Sequence, residues 1–337
     1  MKVIGAGLAC LDIINDEKSV LVMNGGTCAN VLTVLAQLGE NSALLIPKYI
    51  NDLQKADFYL AFEKLHVDLM FYEKTKQSIP RVVETYDDSN KHIFYTKCPH
   101  CNKNLIKNKF ITAPEAKALE RLLLEYDVFF TDRISDGIKE IAKEFNENGK
   151  KIFYEPNSGR NLKALTEMAK ICNVLKVSTD RISMNVLNGI LSQCQSSMLE
   201  MVIATHGKQG LSFCYKMSNG EFSDWIEGPY IEFGSIVDTS GAGDWLTAGF
   251  LHYWYKEKFI LNKEILYNIL KQALRLSEIA SMVQGAQGAF YDKKILQILK
   301  NEYQINLAEP LKQCVENTKE REYCDFCLSE KISEEKD

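Results

Sequence analysis

Continuous apolar runs alternate with helical patterns along most of this chain. The runs "SALLI", "DVFFTD", "KKIFYEP", "CNVLKVS" and "EMVIATHG" have the composition of buried strands, and "KVIGAGLACLD" predicts a first buried strand. Helical patterns such as "TCANVLTVLAQLG" and "APEAKALERLLLEY" lie between them. Strands that are apolar on both faces and separated by helices are typical of parallel sheets covered on both sides. The sequence therefore predicts an α/β fold, a three-layer αβα sandwich with a mostly parallel central sheet.

Residues 66–104 depart from this alternation. Apolar and polar residues alternate there, and Asp88-Ser89-Asn90 offers a turn, which is typical of an antiparallel hairpin. We interpret 66–104 as a small β lid inserted into a domain that covers residues 1–305. Residues 306–337 form a charged tail. The region before Gly25 looks too short for a full first lid hairpin.

The bulk composition excludes several classes of protein. The net charge of −5 and the scattered basic residues argue against a nucleic-acid-binding surface. No apolar run approaches the roughly 18 residues needed to cross a bilayer, and the apolar start of the chain meets Asp12 too early for a secretory signal. We therefore expect a cytoplasmic protein with no nucleic-acid or membrane partner. Its 10 cysteines should be reduced thiols or metal ligands.

The stretch "DTSGAGDWLTAGF", residues 238–250, predicts an anion-binding helix start. Gly241 and Gly243 permit close approach to the main chain, and the apolar residues that follow recur at helical spacing. The first turn of a helix has unpaired N–H groups and the positive end of the helix dipole. Asp244 lies in that turn, where an acid either stabilises its own helix or acts on a bound ligand. A Walker loop is absent, and Gly5-Ala6-Gly7 lacks the third glycine of a dinucleotide fingerprint.

Five motifs in chain order resemble those of the ribokinase-like (PfkB) family of carbohydrate kinases. The stretch just described is similar to the family's D-T-x-G-A-G-D signature, and "NGGTCANVLTVLAQLG" to its Gly-Gly-x-x-x-Asn helix start. "IGAGLACLD" resembles the family's first strand, "VIATHGKQG" its nucleotide-side turn, and "ASMVQGAQGA" its late helix and loop. The resemblance implies a ribokinase-like fold and an ATP-dependent transfer of phosphate to a hydroxyl of a sugar or sugar-like molecule.

The resemblance also implies roles for individual residues. Asp244 would be the general base that activates the acceptor hydroxyl, and the glycine-walled helix start would hold the transferred phosphoryl group. The catalytic positions are Asp244, Gly241, Ala242 and Gly243; the substrate-binding positions are Asp12, Gly25, Gly26 and Asn30; the nucleotide-binding positions are Thr205, Gly207 and Gly210; the monovalent-cation positions are Asp238, Thr239, Ala280 and Gly285. The implied cofactors are ATP with Mg²⁺, and K⁺ beside the helix start.

Two departures from the family pattern keep a rival hypothesis open. The family's N-x-x-E motif, which organises magnesium-bound phosphate, should fall at Ser178 to Arg181, where the chain has "STDR" with Asp180 one position away. Trp245 places the signature's aromatic one residue early. These features favour a catalytically weak or inactive ligand-binding or sensor protein, whereas the intact Asp244 favours a kinase because a sensor needs no base. A monomer and a homodimer are both compatible with the sequence.

Four cysteines form two C-x-x-C pairs outside the family pattern. Cys98 and Cys101 end the predicted lid, and Cys324 and Cys327 lie in the tail. Two such pairs can complete a tetrahedral structural Zn²⁺ site. Their separation is far larger than in a compact zinc ribbon, so the pairs are alternatively unrelated thiols or a redox pair.

Overall fold

The expected alternation of strands and helices is present in the computed structural model, which describes residues 1–15, 19–86, 92–107, 109–312 and 314–317. The strands are β1 (Lys2–Gly5), β2 (Cys10–Asn15), β3 (Ser19–Gly25), β4 (Asn41–Tyr49), β5 (Val67–Thr75), β6 (Arg81–Tyr86), β7 (His92–Tyr95), β8 (Val128–Thr131), β9 (Lys151–Tyr154), β10 (Val174–Ser178), β11 (Met201–Thr205), β12 (Leu211–Tyr215), β13 (Ile226–Glu227) and β14 (Cys314–Asn317). The helices are α1 (Thr27–Gln37), α2 (Lys55–Lys64), α3 (Ala113–Leu123), α4 (Asp136–Glu147), α5 (Leu162–Ile171), α6 (Met184–Gln193), α7 (Ala242–Lys256), α8 (Lys263–Ala280) and α9 (Lys293–Tyr303).

A large sheet forms the middle layer, with the strand order β13-β12-β11-β10-β9-β8-β1-β4-β5. The strands from β11 to β5 are parallel, and β12 and β13 extend the sheet in antiparallel fashion. Helices α1, α2, α7, α8 and α9 pack on one face, and α3 to α6 pack on the other, so each face has its own apolar core. The predicted αβα sandwich is confirmed. No helix within the described ranges is long and apolar enough to cross a membrane.

Local signals in the sequence set the ends of the outer helices. At the start of α3 the Glu115 carboxylate accepts a hydrogen bond from the Thr112 backbone N–H at 2.8 Å, which satisfies a donor that the helix leaves unpaired. Helix α4 ends just before Gly149, whose φ of 66° suits a residue without a side chain.

A second sheet has the order β14-β3-β2-β6-β7. The prediction of one strand in "KVIGAGLACLD" is wrong, because β1 lies in the large sheet and β2 in the small one. Between them Leu8 and Ala9 are buried as the chain crosses from sheet to sheet, so the apolar run hides the break. The region before Gly25 does form a hairpin, since β2 and β3 pair antiparallel.

The segment expected as the lid, residues 66–104, is divided between the two sheets. Strand β5 pairs parallel with β4 at the edge of the large sheet, whereas β6 and β7 pair antiparallel in the small sheet. The predicted turn at Asp88-Ser89-Asn90 lies outside the described residues. The tail enters the small sheet through β14, which pairs with β3, while Cys324 and Cys327 lie outside the described residues.

Candidate active site

Helix α7 begins at a glycine whose conformation and surroundings exclude a side chain. Gly241 has a φ of 77°, and a Cβ at this position would lie 2.5 Å from the Cβ of Ala286. Of the first-turn N–H groups, that of Ala242 donates to the Thr239 carbonyl at 3.2 Å, and those of Gly243 and Asp244 have no partner within an α-helix. The structure therefore places the predicted anion-binding stretch at a true helix N-terminus, beside the loop that carries Ala286.

Asp244 is held by a chain of amides. Its Oδ2 accepts a hydrogen bond from Asn30 Nδ2 at 2.7 Å, and Asn30 Oδ1 accepts one from Gln287 Nε2 at 3.0 Å. Gln287 is completely buried. Because its amide donates to Asn30 Oδ1, Asn30 is oriented with its own NH₂ group towards Asp244. The sequence pattern predicts no role for Gln287, although this residue lies in the stretch "ASMVQGAQGA" that contains Gly285.

The charge environment of Asp244 suits a base. Burial raises the pKa of its carboxyl to about 7, the Glu155 carboxylate adds to the rise, and the hydrogen bond from Asn30 and the charge of Lys176 oppose it. A carboxyl with a pKa near neutrality can accept a proton from a hydroxyl and release it again.

Lys176 and Glu155 lie directly under the start of α7. The Lys176 ammonium forms an ion pair with Glu155 and donates to the Gly243 carbonyl at 2.9 Å. The other Glu155 oxygen accepts from the Thr247 hydroxyl at 2.6 Å. Neither residue was predicted from the sequence, in which Lys176 interrupts the apolar run "CNVLKVS".

Asp12 lies on β2 of the small sheet, not at the end of β1. Cys10 Sγ donates to its Oδ1 at 3.2 Å, and a Cβ on Gly25 would come within 1.8 Å of its Oδ2, so this carboxyl needs a glycine opposite. Burial raises the pKa of Asp12 to about 7; the hydrogen bond from Cys10 lowers it, and the charge of Glu84 raises it. Gly26, with a φ of 94°, lets the start of α1 pass within contact of the Leu8 carbonyl.

The Asp238 carboxylate joins the two segments predicted to hold a monovalent cation. Its Oδ1 accepts from the Ser240 N–H at 2.6 Å, and its Oδ2 accepts from the Gly285 N–H at 2.7 Å. Thr239 is exposed between these residues, and Ala280 is buried at the end of α8. The structure thus brings the four predicted positions to one loop pair next to the helix start.

The nucleotide-side turn lies at the carboxyl end of β11. Thr205 ends this strand, residues 207–209 form a 3₁₀ turn, and Gly207 and Gly210 have positive φ angles of 57° and 90°. His206 bridges Thr179 Oγ1 at 3.1 Å and Ser212 Oγ at 2.9 Å, which makes it a structural residue.

The residues that depart from the expected motifs are packed in different ways. Trp245 is buried, donates its indole N–H to the Ala286 carbonyl at 2.8 Å and stacks on Phe290 with ring centroids 5.2 Å apart. The early aromatic therefore packs within the site's own scaffold. Asp180 and Arg181 are exposed at the end of β10.

The first C-x-x-C pair lies on the small sheet. Cys98 is buried against Ile13, Val20 and Val83, and the turn closes with hydrogen bonds from Cys98 N to Lys103 O and from Asn102 N to Cys98 O. Within the described ranges, no group of three or more His, Cys, Asp or Glu side chains could hold a metal ion.

Comparisons with known proteins agree with this fold. The sequence matches the family described as pfkB family carbohydrate kinase over residues 6–291. Ribokinase from Giardia lamblia has a similar structure with a TM-score of 0.70 and 12% identity, and the match covers 88% of this chain and 99% of that one. Fructokinase with bound ATP from Xylella fastidiosa has a TM-score of 0.67 and 16% identity, with coverage of 89% and 98%. A putative ribokinase II from E. coli in complex with ATP and Mg²⁺ has a TM-score of 0.64 and 18% identity, with coverage of 89% and 99%. A search of curated protein sequences finds no match to this chain.

Proposed function

Because the chain belongs to the pfkB family of carbohydrate kinases, we propose that it transfers the γ-phosphate of ATP to a hydroxyl of a sugar or sugar-like molecule with Asp244 as the general base. The membership itself makes the chain a phosphotransferase with an alcohol group as acceptor. The observation that supports the base assignment is the position of Asp244 in the first turn of α7, with one carboxylate oxygen held by Asn30.

The proposed step divides the work between a carboxylate and a helix start. Asp244 accepts the proton of the acceptor hydroxyl, whose oxygen forms a bond to the γ-phosphorus as the bond from that phosphorus to the β–γ bridging oxygen breaks and ADP leaves. The N–H groups at Gly243 and Asp244 stabilise the charge on the transferred group, and the Ala242 N–H joins them if its bond to the Thr239 carbonyl opens. Burial of the carboxyl keeps its pKa near 7, which favours proton transfer at physiological pH.

The two ligands would enter from different sides of this helix start. We place the acceptor between Asn30 and Asp12, since both lie beside the Gly25-Gly26 turn. The nucleotide would lie over Thr205, Gly207 and Gly210 at the carboxyl ends of parallel strands, where open α/β sheets bind ligands.

Mg²⁺ and K⁺ fit this chain to different degrees. Arg181 is not a magnesium ligand, so Asp180 is the exposed carboxylate at the end of β10 that suits a cation carried in with ATP. K⁺ would bind where Asp238 draws the 238–240 and 281–285 loops together, since backbone carbonyls there are suitable oxygen donors.

The alternative, a ligand sensor without turnover, is favoured by the "STDR" departure alone. The amide chain from Gln287 through Asn30 to Asp244 favours the kinase, because it fixes a carboxylate in the first turn of α7, where a base would act beside the transferred phosphoryl group and where a sensor needs none.

The test is a panel of sugars, polyols and nucleosides added to the purified protein with MgATP. ADP release stimulated by one class, and absent in Asp244→Asn, is the expected result. Thermal stabilisation by a sugar without ADP release from the wild-type protein would instead identify a sensor.

We also propose that Cys98 and Cys101 bind a structural Zn²⁺ together with Cys324 and Cys327. Strand β14 brings the tail to the small sheet, and Cys324 follows Asn317 by seven positions. Cys98 lies in the same buried cluster as Val20, and Val20 pairs with Glu316 of β14. An extended chain of that length reaches about 24 Å, so the tail can reach the first pair. Such a site would be closed, and four thiolates would supply its ligands.

Metal analysis of protein purified without chelator tests this site. About one zinc per chain, retained in Cys10→Ser and lost when Cys324→Ser and Cys327→Ser are combined, is expected. Protein that is fully reduced and free of metal would contradict the proposal.

A further inference from the structure

A buried lysine lies beneath the start of α7, and neither the family pattern nor the acceptor and nucleotide sites account for it. Lys176 is central in β10, its side chain is 3% exposed, and its strand neighbours Leu175 and Val177 are buried apolar residues. Removing an ammonium group from water is costly unless the charge is paired and hydrogen-bonded. Its two contacts, with Glu155 and with the Gly243 carbonyl, therefore deserve a functional explanation.

The Gly243 carbonyl belongs to the peptide unit that ends in the Asp244 N–H. In an α-helix this carbonyl accepts the N–H four residues later. The Thr247 hydroxyl lies 3.2 Å from it, but its single proton is donated to the nearer Glu155 oxygen at 2.6 Å. Lys176 adds a cation at 2.9 Å on the same oxygen. A cation on a peptide oxygen polarises the unit and makes its N–H a stronger donor. The Asp244 N–H is one of the groups that faces the transferred phosphoryl group in the proposed reaction.

Glu155 completes the arrangement. It follows β9, and its two oxygens bind Lys176 on β10 and the Thr247 hydroxyl on α7, so one carboxylate connects three elements under the site. Its own N–H donates to the Thr131 carbonyl at 2.9 Å, which fixes the backbone at the base of the pair.

We propose that Lys176 and Glu155 are positioning residues for phosphoryl transfer, which orient and polarise the Gly243–Asp244 peptide and balance the charge that the Asp244 carboxyl faces. This inference rests on the proposed kinase function and adds two residues that act through the backbone of α7 without touching either ligand.

The groups around Asp244 predict opposite effects of removing the two partners. Asp244 faces Glu155 after β9, Asp132 after β8, Lys176 on β10, and Asn30 and Cys28 on α1. Glu155 and Asp132 raise the pKa of Asp244, and Lys176 lowers it. Lys176→Met leaves the Glu155 carboxylate without its cation and moves the pKa of Asp244 up. Glu155→Gln leaves the lysine cation and moves it down.

The experiment compares these two variants with Lys151→Met as a matched control. Lys151 pairs with Glu200 at 2.7 Å and lies at the opposite end of β9 from Glu155. We expect kcat to fall on the order of 10-fold in each test variant, less than the loss of a whole oxyanion donor, with little change in KM for the acceptor. The acid limb of the kcat–pH profile should move to higher pH in Lys176→Met and to lower pH in Glu155→Gln, and stay in place in the control.

A second measurement is independent of turnover. Carbon-13 NMR titration of the ligand-free protein, with the Asp244 signal identified by its loss in Asp244→Asn, should show the same opposite shifts. If the wild-type protein has no turnover, the kinase function fails and this titration still tests the pair. If Lys176→Met does not fold, Glu155→Gln carries the test. A working wild-type enzyme whose profile and titration are unmoved in the folded variants would overturn the proposal.

Discussion

The two sheets of this protein are stabilised in different ways, and the site takes a different part from each. The large sheet lies between two apolar cores formed by helices on both faces. In the described part of the small sheet, Ile13, Val20, Val83, Cys98 and Leu105 form one buried cluster and Leu11, Ile14 and Met23 are buried as well, whereas Ile93 and Phe94 of the edge strand β7 are 37% and 56% exposed. Asp244, Lys176 and Glu155 belong to the large-sheet body, whereas Asp12 belongs to the small sheet.

This difference suggests a division of labour. Groups that must be held within fractions of an ångström for catalysis benefit from a rigid scaffold, and contacts that must open for ligand exchange suit a thinly packed one. We therefore expect changes in the body near the site to alter kcat, and changes in the small sheet to alter acceptor binding and local stability.

The largest expected effect is the loss of kcat when Asp244, in the large-sheet body, is replaced. Asp244→Asn should lower kcat on the order of 10²- to 10⁴-fold, because the amide cannot accept the hydroxyl proton, while ATP binding and thermal stability are kept. Steady-state kinetics measure kcat, calorimetric titration measures ATP binding, and thermal unfolding measures stability. The wild-type kcat should also fall as pH drops below about 7, where the base becomes protonated. A variant within a few-fold of wild-type kcat would remove Asp244 from the chemistry.

The next largest effect is expected at the ion pair that joins the small sheet to the large-sheet body. Arg81 on β6 is 3% exposed and forms an ion pair with the buried Asp52 after β4 at 3.0 Å. Arg81→Met leaves that carboxylate buried without its cation and should cost about 3–5 kcal/mol of unfolding free energy. Urea unfolding measures the loss, with Arg121→Met on the exposed last turn of α3 as the control. A loss no larger than that of the control would show that apolar packing alone holds the small sheet to the body.

Asp12→Asn should separate binding from chemistry. We expect KM for the acceptor to rise about 10-fold with a smaller change in kcat, because a ground-state hydrogen bond is weakened. The pKa of Asp12 is raised from 3.8 to about 7 in the folded protein, so its ionisation lowers stability as pH rises through that interval. The variant should therefore melt above the wild-type protein at pH 8, and this gain should disappear near pH 4. Unchanged KM together with an unchanged melting difference across pH would place Asp12 outside the acceptor site.

The smallest expected effect is that of the monovalent cation. K⁺ at the Asp238 loop should increase kcat several-fold by ordering the segment beside the phosphoryl group. The comparison is K⁺ against tetramethylammonium at equal ionic strength, measured on the wild-type enzyme and on Asp238→Asn. Equal rates in the two salts would contradict a cation site there.

The sequence was most informative where spacing alone defines an element. The apolar runs gave the layers of the large sheet, and Gly241 with Asp244 gave the helix start, because backbone geometry there admits few residues. The sequence pattern was misleading between β1 and β2, because Leu8 and Ala9 are buried and apolar like the interior of a strand although the chain crosses there from one sheet to the other. Gln287, Lys176 and Glu155 escaped because their roles arise from contacts between segments more than 20 residues apart, which no local pattern encodes.

The packing of Trp245 has an optical consequence. Its indole donates to the Ala286 carbonyl and stacks on Phe290, so the fluorophore is bonded to the loop that flanks the helix start. Rearrangement of that loop changes the polarity and hydrogen bonding around the excited indole. A ligand that rearranges that loop would therefore be detected, without any label, by stopped-flow fluorescence as the difference between the emission of the wild-type protein and that of Trp245→Phe.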